Sequence, residues 1–476
     1  MRQMPATVSS RSSAVLTVGL VLMVTAVAFE GLAAPTVLPA TLEELRGLSL
    51  YGWAFSGFWL SNLVGISLAG AEADRRGPFL PFVAGTAAFS VGLVVAGVAP
   101  DMAWVVAGRI IQGLGAGAIG AITYVAIARG YAPATQPRII AVISSAWVLP
   151  GLVGPALAGW VSEEHSWRWV FLGLAPLLPL AALLVARELR RLPAAPRDEE
   201  ASRDRRSTIG DALLLTVGTG AVLAATSLGQ LLPGLLLGAV GAPIAVRSLR
   251  RLLPAGTLTA RRGRPATIAV LGLLSVAFFG VEAFVPLAVA SVRNAGTLVG
   301  GLALTTAAVT WAAGSWVQAR LAATRSRRSV TAAGLVLIGI GIALEAAVPF
   351  GSLAPIWLAA AAWAIAGLGM GLAYSTATLA IIEAAPPGSE GAASASVQLA
   401  NTLGIALGTG VAGSVVALSA AAPLGLAPGI VIADLLMLIV LMAALSIVGR
   451  MPGQRPAAPV AGHLGASAEH GPTLIP

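Results

Sequence analysis

Fourteen long apolar stretches run through this chain, and they limit the folds open to it more than any other feature. About 20 residues of helix cross the hydrocarbon of a bilayer, and each stretch is close to that length or longer. Hydrophobic residues make up 57% of the 476 residues and charged residues only 10%, which excludes a soluble globular domain. We therefore predict an all-α membrane protein with helices 1 to 14 at residues 14–40, 49–70, 79–99, 102–130, 137–161, 167–188, 209–228, 230–248, 265–290, 296–320, 330–349, 353–384, 390–418 and 427–449.

The basic residues, all of them arginine, support this count and give an orientation. With the N-terminus in the cytoplasm and Arg109 inside helix 4, 25 of the 29 arginines lie in the N-terminus, inner loops and tail, as the positive-inside rule requires. The three outer arginines are Arg46, Arg168 and Arg293. The inner loop between helices 12 and 13 is an exception, because it carries Glu383 and Glu390 without an arginine. We predict a multi-pass protein of the cell membrane with both termini in the cytoplasm. The net charge of +9 then reflects topology and not nucleic-acid binding.

The residue types exclude several kinds of site. Cysteine is absent, so disulfides, thiol catalysis and cysteine-ligated metals are excluded. The histidines are His165, His463 and His470, which lie in a loop or the tail, so we expect no histidine metal site within the membrane. We expect no cofactor, and the outer loops are too short to form a catalytic domain.

An internal repeat relates the two ends of the chain. Gly113 and Gly117 of helix 4 match Gly367 and Gly371 of helix 12 at an offset of 254 residues, and helices 1 and 9 each carry a glutamate followed by a proline. Duplicated six-helix bundles around a central cavity are typical of transporters. We predict a 6 + 2 + 6 arrangement with two pseudo-symmetric bundles. The predicted order is a cytoplasmic N-terminus (1–13), an N-terminal bundle (14–188), a cytoplasmic linker (189–208), two additional helices (209–248), a cytoplasmic loop (249–264), a C-terminal bundle (265–449) and a disordered cytoplasmic tail (450–476).

Three charged residues inside predicted helices are candidates for proton coupling. A charged side chain at the centre of a membrane helix costs about 2.5–3.5 kcal/mol on insertion scales, so Glu30 of helix 1 requires compensation. Arg109 of helix 4 cannot lose its proton and must find acceptors inside the protein. Glu282 lies as far into helix 9 as Glu30 does into helix 1. It is either a second titrating or cation-binding acid or the partner of an arginine such as Arg293.

Other polar residues are candidates for lining the cavity. They are Asn62, Gln112, Trp147, Asn401 and Asp434. Packing or hydrogen bonds between helices would explain each of them equally well. Glu345 is expected near the outer surface, in contact with water. Pro39 is expected to end helix 1 or to kink it.

Four motifs resemble the major facilitator superfamily, and within it the fourteen-helix drug:proton antiporter branch. After helix 2 the segment Gly70-x3-Asp74-Arg75-x-Gly77 is similar to the family's loop between helices 2 and 3. Gly77 permits a tight turn, and Asp74 would cap a neighbouring helix or pair with an arginine across the bundle interface. The resemblance implies that this segment takes part in gating.

The remaining motifs lie in helices 1, 4 and 5. Arg109, Gln112 and Gly113 resemble the family's Arg-x-x-Gln-Gly motif, which is linked there to proton transfer. Gly154-Pro155 in helix 5 resembles the motif that marks exporters, and the proline would let the helix bend. Glu30, followed nine residues later by a proline, matches the family's first-helix pattern. The segment 166–171 entering helix 6 is also similar to this branch.

These observations lead to a functional prediction. We expect proton-coupled efflux of amphipathic or cationic small molecules such as drugs, driven by the proton gradient, with membrane lipid around a functional monomer. One alternative is a proton symporter that imports a small metabolite, although the Gly-Pro motif and the two additional helices oppose it. Export of an endogenous metabolite or a lipid is another alternative. A membrane enzyme acting on lipid-linked substrates is a third.

Overall fold

The computed structural model consists of fourteen membrane-length helices. It describes residues 10–132, 134–194, 199–227, 231–322, 324–351, 354–386 and 389–453, and we find no strand among them. The helices are α1 (Ser10–Leu45), α2 (Tyr51–Arg76), α3 (Phe79–Gly97), α4 (Met102–Gly130), α5 (Gln136–Ser145 with Val148–Glu164), α6 (Arg168–Leu172 with Leu177–Leu189), α7 (Glu199–Ser227), α8 (Leu231–Leu252), α9 (Arg264–Glu282 with Val285–Leu287 and a π-helical turn, Ala288–Val292), α10 (Thr297–Leu321), α11 (Arg327–Glu345), α12 (Trp357–Glu383), α13 (Glu390–Ala421) and α14 (Leu426–Ile447). An apolar chain forms helices in lipid because they satisfy its backbone hydrogen bonds internally.

Successive helices run in opposite directions, so their ends lie at two faces of the protein. We call the face where α1 begins and α14 ends the terminal face, and the face that holds residues 46–50 the far face. We also call α1–α6 the N-terminal half and α9–α14 the C-terminal half. All fourteen helices are long and apolar enough to cross a bilayer, which confirms the predicted number.

Several predicted boundaries differ from the structure by a few residues or more, and helices α1 and α7 are two examples. Helix α1 continues through Pro35 and Pro39 to Leu45, because a membrane helix tolerates a proline when its freed carbonyl groups find other partners. Helix α7 begins at Glu199, so its first turns lie in the segment predicted as a linker. The division into domains and the 6 + 2 + 6 grouping stay predictions. The tail from residue 454 onwards, with His463 and His470, lies outside the described residues.

An ion pair accounts for the loop that departs from the arginine pattern. Arg327, at the start of α11, donates to both carboxylate oxygens of Glu383, at the end of α12, at 3.2 and 2.8 Å. Both residues lie at the terminal face. One of the two acids of this loop is therefore neutralised by an arginine of the preceding loop on the same face.

Glycines bring helices of each half into close contact. A Cβ atom on Gly113 or Gly117 of α4 would lie 2.1 Å from a backbone oxygen of α2. A Cβ on Gly367 or Gly371 of α12 would lie 2.3 Å from a backbone oxygen of α10. Real Cβ atoms cannot approach so closely, so both halves use the same spacing of small residues to dock their fourth helix on their second.

The two halves meet near the far face. A Cβ on Gly52 of α2 would lie 2.9 Å from the Cα of Gly413 in α13. At the other side of the interface, Thr297 of α10 donates to the carbonyl oxygen of Gly159 in α5 at 3.1 Å. Glu163 of α5 accepts a hydrogen bond of 2.8 Å from the first turn of α10, at the N–H of residue 298. These contacts close the far face between the halves.

Helix α7 touches both halves. At its far end Ser227 accepts a hydrogen bond from Trp53 Nε1 of α2 (3.2 Å) and lies 3.2 Å from Ser414 Oγ of α13. Thr226 is bonded to the same Ser414 at 2.8 Å. Helix α8 packs on α7, where a Cβ on Gly218 would lie 2.7 Å from the backbone of α8. The additional pair of helices is thus attached beside the α2–α13 contact.

Candidate functional site

Glu30 and Arg109 form a buried ion pair between α1 and α4. Arg109 donates to Glu30 Oε1, and the two side chains are only 1% (Glu30) and 2% (Arg109) exposed. Each charge is the other's compensation, since an isolated ion at this depth is expensive. The ion pair therefore gives each of these two buried charges the partner of opposite charge that it requires.

The guanidinium of Arg109 is held by several neighbours besides Glu30. Its Nε donates to the carbonyl oxygen of Ala54 at 3.0 Å, and NH1 also donates to Gln112 Oε1 at 2.6 Å. Its Cζ lies 4.3 Å from the ring centroid of Phe58, in a cation–π contact. These groups fix the arginine against α2 and leave Glu30 as the member of the pair that can gain or lose a proton.

Two polar atoms of this site make no hydrogen bond in the described part of the chain. They are Glu30 Oε2 and Gln112 Nε2. The carboxyl group of Glu30 therefore has one buried oxygen that is not engaged.

Glu282 of α9 is in a different environment. The predicted alternative partner, Arg293, donates instead to the carbonyl oxygens of Val348 and Ala354 at 2.7 and 2.9 Å. Within the described residues Glu282 has no ion-pair partner. Its neighbour is the indole of Trp363, which is close enough to interact but whose Nε1 is not in standard hydrogen-bond geometry. Glu282 is thus an acid without a compensating base.

Trp363 also belongs to an aromatic cluster of the C-terminal half, which the sequence analysis did not identify. Trp363 stacks on Phe278 with centroids 5.1 Å apart and planes at 23°. Phe278 meets Trp311 edge to face at 5.8 Å, and Trp311 meets Tyr374 at 5.7 Å. Phe279 lies 6.3 Å from Trp311. The signal in the sequence was that Trp363 of helix 12 stands where Arg109 stands in helix 4, at the repeat offset of 254 residues.

Asp434 does not line a space between the halves. It is 1% exposed and interacts with Glu345, also 1% exposed, at the contact of α11 and α14. The expectation that Glu345 is solvated near the surface is wrong, because α14 covers it. Both oxygens of Glu345 and one of Asp434 lack a hydrogen-bond partner in the described chain.

The other candidates for lining the cavity are placed as follows. Gln112 is fully buried and bonded to Arg109, and Asn62 is 8% exposed at the α2–α4 contact, so both belong to packed interfaces. Asn401 of α13 accepts a hydrogen bond from Ser275 of α9 at 2.9 Å. Only Trp147, 46% exposed at the break in α5, has a largely open surface. Interhelical packing therefore explains the first three.

The segment predicted to take part in gating ends α2. Gly77 adopts φ +90°, a left-handed conformation that favours glycine, and its N–H donates to the carbonyl of Ala73. Asp74 pairs with Arg129 at the end of α4, within the N-terminal half. Arg75 lies 3.5 Å from Glu72. The aspartate–arginine pair found here ties α2 to α4 at the terminal face. A Cβ on Gly70 in the same segment would meet nothing within 4 Å.

The Gly-Pro motif lies at the contact between the halves. A Cβ on Gly301 of α10 would lie 2.3 Å from the carbonyl oxygen of Pro155. Gly154 faces Phe29 of α1, to which a Cβ would come within 3.5 Å. The motif therefore places α5 between α1 and α10. Glu163, which the sequence analysis did not single out, lies near the end of α5 and accepts a hydrogen bond from the first turn of α10.

Comparisons with known proteins agree with this architecture. The Major Facilitator Superfamily model matches residues 18–409. The chain is 26% identical over 394 residues to a probable multidrug-efflux transporter of Mycobacterium tuberculosis, covering 80% of this chain and 83% of the relative. It is 24% identical over 410 residues to the multidrug transporter protein MdtP of Bacillus subtilis, covering 84% and 74%.

Solved structures share the fold. A POT family transporter in complex with 5-aminolevulinic acid superposes with a TM-score of 0.65 at 12% identity, covering 94% of this chain and 98% of that one. A bacterial homologue of the human lysosomal transporter Spinster, inward-facing and unoccupied, gives a TM-score of 0.65 at 14% identity over 93% and 97%. The chain is a multi-pass membrane transport protein for small molecules and not an enzyme, and it belongs to the fourteen-helix branch of the major facilitator superfamily.

Proposed function

We propose that this protein exports amphipathic or cationic small molecules such as drugs across the cytoplasmic membrane in exchange for protons. Two relatives that cover most of the chain carry multidrug-efflux or multidrug-transporter names, which supports the substrate class. The buried Glu30–Arg109 pair supports proton coupling and is the observation on which the proposal rests. The protein would act as a monomer in lipid, with the proton gradient as its energy source and no cofactor.

The coupling would run through Glu30. When Glu30 takes up a proton, the ion pair with Arg109 loses its charge attraction, and the remaining guanidinium charge must rely on Ala54 and Gln112. When the proton leaves, the pair forms again. The charge balance of the site therefore differs between the protonated and deprotonated forms, and a transporter can use that difference to favour one conformation.

The closed far face would correspond to an inward-facing state. We place the N-terminus in the cytoplasm because of the arginine distribution, so the far face is the outer surface. The seam of Gly52 with Gly413 and of Pro155 with Gly301 would seal the route to the outside. Rocking of the two halves against each other would open this seam and close the terminal face.

A drug-susceptibility panel in an efflux-deficient host tests the function. Expression should raise tolerance to at least one amphipathic or cationic compound and lower its accumulation in the cell. Glu30→Gln should remove the tolerance, whereas Glu345→Gln, which alters another buried acid outside the proposed site, should retain it. Higher accumulation on expression would favour import and contradict the proposal.

A further inference from the structure

We propose that the C-terminal half contains the binding site for the cationic group of the substrate, formed by Glu282 and the aromatic cluster of Phe278, Phe279, Trp311, Trp363 and Tyr374. The ligand class is an organic cation with an aromatic or apolar body. This inference rests on the proposed function and adds to it the place and chemistry of recognition.

The two halves treat equivalent acids differently. Glu30 and Glu282 occupy matching helices, and the partner of each comes from the fourth helix of its half. In the N-terminal half that partner is Arg109. In the C-terminal half the matching residue of the repeat is Trp363, whose indole is neutral. Glu30 thus has a cationic side chain of the protein as its partner, whereas Glu282 has a neutral one at the matching position.

The charge of Glu282 is left for a ligand to balance. Arg293, the arginine nearest in sequence, is held by two carbonyl oxygens on the C-terminal side of α11. Glu282 retains partial exposure, in contrast to the 1% exposure of Glu30. A partly exposed carboxylate without a basic partner at this depth is stabilised when a cation binds beside it.

The rings provide a path towards the acid. Tyr374 of α12 lies near Tyr124 of α4 in the other half, and Tyr124 is 60% exposed. From Tyr374 the rings continue through Trp311 to Phe278 and Trp363. Phe279, Trp311 and Tyr374 each keep part of their surface open. Ring faces attract organic cations by about 0.5–2 kcal/mol each, so the cluster favours a positively charged aromatic ligand over a neutral one.

Glu30 is the less suitable acid for this role. Its charge is already balanced by Arg109, and a cationic ligand would meet the guanidinium as well as the carboxylate. The arrangement therefore divides the work, with proton exchange in the N-terminal half and cation binding in the C-terminal half.

Binding to the purified full chain in lipid nanodiscs, without a gradient and at fixed pH, tests the inference. The probes are tetraphenylphosphonium and the neutral triphenylphosphine oxide, measured by calorimetry. Glu282→Gln should lower the affinity for the cation about tenfold or more and leave the affinity for the neutral probe nearly unchanged. Trp311→Leu should weaken both probes. Trp363→Arg, which copies the N-terminal half, should abolish cation binding, and Glu345→Gln is the matched control.

Three results would overturn the inference. They are no measurable binding of tetraphenylphosphonium, equal affinity of the cation for wild type and Glu282→Gln, and an equal loss of both probes in Glu282→Gln. The outcome is separable from the proposed function. Export that persists while Glu282→Gln keeps its cation affinity contradicts only this inference, whereas selective cation binding without export contradicts only the proposed function.

Discussion

At the scale of single residues, the sequence predicted the buried Glu30–Arg109 charges better than any other part of the site. The cost of Glu30 and Arg109 in lipid predicted that each needs a partner, and the structure joins them. The burial of a charged residue near a helix end was harder to predict. Glu345 was expected at the outer surface because it lies five residues before Phe350, yet α14 covers it and brings Asp434 alongside. A sequence gives the position of a residue along its helix but not what packs over it.

The ion pair predicts an asymmetric effect on stability. Arg109→Gln should lower the free energy of unfolding by about 3–5 kcal/mol, because it leaves the Glu30 carboxylate buried without its cation. Adding Glu30→Gln should recover most of that loss, since the double variant buries no unpaired charge. Denaturant unfolding in mixed micelles measures both values. A double variant less stable than Arg109→Gln alone would contradict the compensation described here.

At the scale of elements, close helix contacts depend on single glycines. Helix α4 docks on α2 through Gly113 and Gly117, and α12 docks on α10 through the matching pair. The spacing of these glycines is a signal that a sequence shows, because small residues four positions apart lie on one face of a helix and allow two backbones to approach. The residues of the aromatic cluster have no such regular spacing in the sequence. Its members come from three helices, and only tertiary packing brings them together.

Two substitutions one turn apart in α4 test the packing. Gly117→Ala should destabilise the protein by about 1–3 kcal/mol, because its new Cβ would lie 2.1 Å from the carbonyl oxygen of Asn62. Gly120→Ala should leave stability unchanged or raise it slightly, since nothing lies within 4 Å of that position. Thermal unfolding in detergent compares the pair. Equal midpoints would show that the α2–α4 contact does not require a glycine.

At the scale of the whole molecule, the number of helices followed from the lengths of the apolar stretches. The seam at the far face did not. It depends on which helix ends meet, as when Glu163 of α5 accepts a hydrogen bond from the start of α10. The position of α7 beside the α2–α13 contact was equally hidden, because its serine and threonine contacts have no sequence signature. Through these contacts α7 joins the two halves on the side that would open during export.

Transport into everted membrane vesicles that are acidic inside tests the central claim, proton-coupled export through Glu30, most directly. The same vesicles should accumulate a substrate and lose part of their pH gradient when it is added, and an uncoupler should stop the accumulation. Glu30→Gln should abolish both the accumulation and the proton movement. Accumulation by Glu30→Gln equal to that of wild type, or accumulation that survives the uncoupler, would contradict the account.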